Sequence, residues 1–171
     1  MIQIIGNVIW FILCYPYLYF QVDEYRFNRA SLLNTGFQET KVFGCDYIAL
    51  HDVDLIPVNP KLSYAYPVNG PYHLAAPGLH PKYDYSSFIG GILLITREQF
   101  ELLNGMSNRY WGWGLEDDEF GFRIKEAKLK VQRPSLDVIT TGKQNTFYHY
   151  HSTVKRLVFF PNLIPCVLNL I

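Results

Sequence analysis

The stretch GGILLITREQF, residues 90–100, reads as a strand that turns directly into a helix. Gly91 to Thr96 is short, continuous and apolar, as a strand buried on both faces of a sheet should be. Thr96 then opens a helix, with Gln99 three residues on in the spacing of a capping box, and with Phe100, Leu102 and Leu103 forming its apolar side. Gly105 is placed to end it.

The same alternation extends outward. Asp46 to His51 is a second apolar strand, which stops abruptly at the charged residues Asp52 and Asp54. Asn28 to Thr40 reads as a helix with Leu32, Leu33 and Phe37 on one side, weakened near its end by Gly36. Asn59 to Pro71 is rich in Pro, Asn, Gly and Ser and reads as loop, with a further strand over His73 to Ala76. Another helix begins at Leu115 or Glu116. The acids Glu116, Asp117, Asp118 and Glu119 suit the positive end of its dipole, and Phe120, Ile124 and Ala127 fall on one face. Lys130 to Gln132 is read as a last strand. Strands interleaved with helices predict an α/β fold with a mixed sheet.

A chain of 171 residues suits one domain with a single core and is short for two. Lys+Arg and Asp+Glu balance at 15 each, and no basic stripe of the kind that tracks a polyanion is present, which argues against a nucleic-acid partner. Cys14, Cys45 and Cys166 are far apart and odd in number, so they read as separate buried thiols. Met1 to Val22 carries no charged side chain, and Ile4 to Phe20 is almost wholly apolar. That run is near the lower limit of the roughly 17–25 residues needed to span a bilayer. Membrane association through residues 4–20 is one expectation, against which stand Pro16 and the lack of Lys or Arg ahead of the run. The run from Leu157 to Ile171 is also apolar but holds Pro161 and Pro165.

Three groups of residues carry chemistry. Asp52 and Asp54 stand where a strand ends, the place at which open α/β sheets collect ligands, and the pair can hold a divalent cation with a ribose. His149 and His151 point the same way in an extended segment, so both imidazoles can reach one metal. Mixed Asp and His ligands suit Mn²⁺. The third group is the string WGWGLEDDEF, residues 111–120. Its two Trp can offer indole faces to a sugar, and its crowded carboxylates raise the pKa of at least one member, which favours a general base. Each group also has a plainer reading, respectively a solvated turn, ordinary histidines, and an acidic helix start with core tryptophans.

HDVD at 51–54, GGILLITREQF at 90–100, NGMSNRYWGWGLEDDEF at 104–120, FNRASLLNTGF at 27–37 and the HxH at 149–151 together resemble the β-1,4-galactosyltransferases. The resemblance runs in order over about residues 21–151, and EDDEF with the HxH is most similar to the branch that adds galactose to xylose in the proteoglycan linker.

The resemblance implies a GT-A-type nucleotide-sugar transferase fold with a mixed sheet. It implies transfer of galactose from UDP-galactose to the xylose 4-hydroxyl of a xylosylated core protein or β-xyloside, with inversion, in the Golgi, in a family of type II membrane proteins. By that resemblance Asp117 is the base, and Asp54, His149 and His151 are the Mn²⁺ ligands. Phe27, Arg29, Asp52 and Val53 fall to the nucleotide, and Tyr83, Tyr85, Trp113, Glu116 and Asp118 to the sugars.

Departures from the family pattern set further expectations. No Pro-Phe-Arg-type motif precedes Val22, and Ser152 stands where the family has Asp. Residues 1–21 are expected to be a leader, 22–152 a partial catalytic domain missing its first strand, and 153–171 an apolar tail. An inactive truncated transferase and a non-catalytic sugar-binding protein are the alternative readings.

Overall fold

The computed structural model describes residues 7–12, 15–135 and 142–149, and of residues 7–20 the backbone alone. The first two strands are β1 (Asn7–Ile12) and β2 (Tyr15–Phe20), followed by helix α1 (Arg29–Glu39) and a 3-10 turn at Thr40–Phe43. Then come β3 (Tyr47–Asp52), β4 (Leu55–Pro57), β5 (Tyr72–His73) and β6 (Ile92–Thr96). The chain continues through α2 (Arg97–Leu102), α3 (Glu116–Glu126), α4 (Gly142–Thr146) and β7 (Phe147–His149).

The strands form a five-stranded sheet in the order β2-β1-β3-β6-β5 and a two-stranded sheet of β4 and β7. β3 and β6 sit side by side at its centre, pairing Tyr47 with Thr96 through His51 with Ile92. Every residue of β6 is buried, as its unbroken apolar run predicts. Side chains alternate between the two faces of a strand, and β3 divides accordingly. Ile48 and Leu50 join Leu93 and Ile95 in one cluster with Leu33 and Phe37 of α1, Phe100 of α2, and Phe120 and Ile124 of α3. Tyr47 and Ala49 join Ile92 and Leu94 in a second cluster with Leu74, Leu79, Leu55 and Phe147.

The helix ends follow the sequence closely. Asn28 caps α1 by accepting from Ser31 N, and Thr96 and Gln99 form both bonds of the capping box on α2. Three details differ. The helix at Arg97 stops at Leu102, which is 66% exposed, so Phe100 and Leu103 alone carry its apolar side. Ala127 is an exposed C-cap instead of a core residue. The strand at His73 to Ala76 shortens to Tyr72–His73, and that at Lys130 to Gln132 to one parallel bridge between Tyr72 and Gln132.

Two larger features concern the sheet as a whole. The named strands pair antiparallel throughout, and the Tyr72–Gln132 bridge adds one parallel pairing at the β5 edge. In addition, residues 7–12 and 15–20 of the apolar N-terminal segment form β1 and β2. β1 lies between β2 and β3, antiparallel to both. The physical reason is compositional. Ile, Val, Trp, Tyr and Phe favour a pleated surface, and an extended chain can use apolar side chains on both faces of a sheet. Among the described residues no helix is long and apolar enough to cross a membrane. Cys45 is buried, while Cys14, Cys166 and the tail from Leu157 lie outside the described residues.

Candidate active site

Asp52 closes β3, and its backbone N–H donates to the Gly91 carbonyl at 2.8 Å, so the ends of the two central strands are locked together. Val53 and Asp54 form the turn into β4. β4 pairs with β7, Leu55 opposite His149, and this pairing brings the distant His149 to the turn. Its Nε2 lies 3.3 Å from Asp54 Oδ2. Two of the three residues expected to hold a metal are therefore together, and His151 lies outside the described residues. A carboxylate and an imidazole nitrogen in contact form a donor set that suits Mn²⁺.

The centre of the site is Arg29, the first residue of α1. Its Nε donates to Asp52 Oδ1 at 2.8 Å and its Nη1 to Asp117 Oδ1 at 2.7 Å, with Glu116 Oε1 3.6 Å away. One planar guanidinium fork thus ties the end of β3 to the start of α3, a geometry that an ammonium does not reproduce. Burial works against the guanidinium charge, but Asp117, Asp52 and Glu116 outweigh it and hold Arg29 charged. Burial raises all three carboxylates above the ordinary range, opposed by Arg29 in each case. Among the described residues Glu116 Oε2 is buried with no bonding partner, an acceptor left for a hydroxyl.

α3 starts from a strained residue. Leu115 adopts φ +74° and makes no side-chain cap bond, although a left-handed conformation is costly for a branched residue. Gly112 and Gly114, at φ +99° and +97°, flank Trp113, whose ring is 85% exposed. The loop offers this indole to solvent close to Tyr83, with ring centroids 6.4 Å apart. The Tyr85 hydroxyl donates to Asp118 Oδ1 at 3.2 Å. Burial and Asp118 push that hydroxyl up to about 12, so it remains a donor at neutral pH. Phe27 packs at the edge of the core beside α1, and Val53 is half-buried in the turn. Glu119 stands apart from this group, paired with Arg123 one helical turn on.

Three buried histidines were not singled out by sequence. His51 lies beneath the turn, its ring nitrogens bonded to the Asp52 carbonyl and the Tyr64 hydroxyl. His73 Nε2 donates to the Gly90 carbonyl at 2.8 Å. His80 lies near His149, the rings tilted and 5.8 Å apart between centroids. Burial lowers all three, to about 4 for His51 and His80 and about 3 for His73, so they are neutral at physiological pH. Single histidines at scattered spacing carry no pattern to distinguish them from core residues.

Comparison with known proteins places the chain by sequence and fold. A model of the N-terminal domain of galactosyltransferase matches residues 70–150, and one of the N-terminal region of glycosyl transferase group 7 matches residues 12–67. The fold matches the crystal structure of the catalytic domain of Drosophila β-1,4-galactosyltransferase 7 in complex with xylobiose. The TM-score is 0.74 at 55% identity, over 82% of this chain and 60% of that one. A mutant of the same enzyme, in complex with manganese, UDP-Gal and xylobiose, matches at TM-score 0.73 and 53% identity, over 85% of this chain and 62% of that one. The class is therefore a GT-A-type galactosyltransferase fold.

Sequence relatives narrow it. Drosophila melanogaster β-1,4-galactosyltransferase 7 is 59% identical over 80% of this chain, and the human protein of that name 54% over 82%. The Caenorhabditis elegans xylosylprotein 4-beta-galactosyltransferase is 50% identical over 82%. This chain belongs to the β-1,4-galactosyltransferase family. It spans 42% of the length of the fly and human proteins and 48% of the nematode one.

Proposed function

We propose that this site transfers galactose from UDP-galactose to the 4-hydroxyl of xylose, on a xylosylated core protein or β-xyloside, with Mn²⁺ as cofactor and inversion at the anomeric carbon. The observation that carries the reading is the Arg29 fork, which joins Asp52 beside the Asp54–His149 pair to Asp117 beside the exposed Trp113. A metal-held leaving group and a base must face each other across one sugar, and Arg29 sets that relation.

Asp117 accepts the proton of the acceptor hydroxyl as its oxygen bonds to the anomeric carbon and the bond to UDP breaks. The neighbouring guanidinium favours the carboxylate that this step needs. Glu116 and Asp118 hold sugar hydroxyls, with Tyr83, Tyr85 and Trp113 forming the wall on which the sugars lie. Phe27, Arg29, Asp52 and Val53 border the nucleotide. When bound by Asp54, His149 and His151, Mn²⁺ supplies Lewis-acid neutralisation of the departing diphosphate. Trp113 moves over the donor on its flanking glycines. The Golgi, with proteoglycan-linker synthesis, is the proposed setting on the family resemblance, and co-localisation of a tagged chain with a Golgi marker checks it.

The function is tested by incubating the chain with UDP-galactose, a β-xyloside and Mn²⁺. Galactosyl-xyloside is expected, and Asp117→Asn should lower kcat by about 10²–10⁴-fold, the range of a lost general base. Full activity in Asp117→Asn would refute the base assignment. Saccharide binding that ignores chelator and yields no product would instead mark a sugar-binding protein.

A further inference from the structure

His80 is 3% exposed and takes no part in the machinery described above. Its Nδ1 accepts two backbone N–H groups, from Lys82 at 3.0 Å and Tyr83 at 2.9 Å. A ring nitrogen that accepts carries its lone pair and no proton, so the proton of the neutral ring is on Nε2. Among the described residues that Nε2–H has no hydrogen-bond acceptor.

The surroundings show which way this end of the ring is turned. A Cβ on Gly91 would lie 3.3 Å from His80 Cδ2, the carbon bonded to Nε2. Gly91 is the residue whose carbonyl receives the Asp52 N–H. Tyr83 and Phe88 pack on the ring at centroid distances of 5.0 and 5.1 Å, and His149 stands 5.8 Å away with Asp54 at its own Nε2. The unused N–H is thus on the Gly91 side of the ring, at the strand end near the carboxylate–imidazole pair.

We propose that His80 is a binding residue for the donor's diphosphate, giving its Nε2–H to a phosphate oxygen next to the Asp54–His149 pair. The inference rests on the donor reading above and extends it to a residue outside the recognised motifs. His80 is not a ligand of the metal, because its one lone pair is already engaged by the Lys82 and Tyr83 amides.

The test is calorimetric titration of the full chain with UDP, with uridine and with Mn²⁺ alone, the nucleotides in the presence of Mn²⁺. His80→Asn keeps an acceptor near the Nδ1 position and removes the Nε2 donor. UDP affinity should fall about ten- to hundred-fold, the loss of one hydrogen bond to a charged group, with uridine and Mn²⁺ affinities unchanged. In the unsubstituted chain the His80 Nε2 proton should shift downfield in ¹H–¹⁵N spectra on adding UDP and stay in place on adding uridine. This second readout serves if the variant does not fold. An unmoved proton, equal losses for UDP and uridine, or weakened Mn²⁺ binding would each overturn the proposal. If the unsubstituted chain binds neither UDP nor uridine, the donor reading itself falls and His80 with it.

Discussion

At the scale of single residues, the site depends on one guanidinium holding three carboxylates. Asp117 works as a base only when deprotonated, so activity is present above its pKa and lost as pH falls through it. Burial raises that pKa and Arg29 opposes the rise, so the acid limb of kcat/KM should lie above the ordinary carboxylate range. Arg29→Lys keeps a charge but cannot serve Asp52 and Asp117 from one planar fork. It should move the acid limb to higher pH, as read from a kcat/KM–pH profile, and an unmoved limb would refute the tuning role. Gly90 supports the same carboxylate by lacking a side chain. A Cβ there would meet Asp117 Oδ2 at 2.5 Å and Phe88 Cε2 at 2.9 Å. Since Asp117 is held by Arg29, Gly90→Ala should lower kcat by about ten-fold or more through misplacement of the base. Xyloside KM and circular dichroism would separate this loss from unfolding.

At the scale of elements, the β6–α2 junction shows a local signal and a global result in agreement. Thr96 ends the buried strand and caps the helix, so one residue sets both boundaries. Thr96→Ala should cost about 1 kcal/mol of stability, the usual worth of an N-cap, measured as a shift in the urea midpoint with unchanged slope. α3 is different. Its first turn is acidic, but it starts from a left-handed Leu115 without a cap bond. The acids themselves suit the dipole, and the exposed loop of Gly112 to Leu115 is left with few packing contacts to hold it. The capped helix, the two central strands and the acidic helix were legible because each is specified by neighbours within a turn or a strand length. β5 and the Gln132 bridge were not, since their pairing depends on residues far along the chain.

At the scale of the whole molecule, the site exists only where four separate stretches converge. The β3–β4 turn supplies Asp52 and Asp54, α1 supplies Arg29, and α3 supplies the acids, while β7 reaches back over ninety residues to place His149. A ligand that engages several of these stretches stabilises the fold by mass action. Mn²⁺ with UDP should therefore raise the Tm measurably over UDP alone, and chelator should reverse the rise. No shift would count against a metal centre at Asp54 and His149. The apolar N-terminal segment is a second whole-molecule outcome. Hydropathy measures composition along a run and does not register pairing, whereas in the fold residues 7–12 and 15–20 pair as neighbouring strands.

The sequence by itself determined the α/β character, the central strands with their capped helix, the family, and the residue types that can hold a metal, a sugar and a proton. These follow from short-range patterns of polarity and from strings too specific to recur by chance. Only the tertiary structure decided the strand order of the sheet, that Arg29 bridges Asp52 to Asp117, and that His80 packs near His149. Each of those is a contact between residues distant in the chain, and side-chain geometry across such distances is set by packing, which leaves no periodic trace in the order of amino acids.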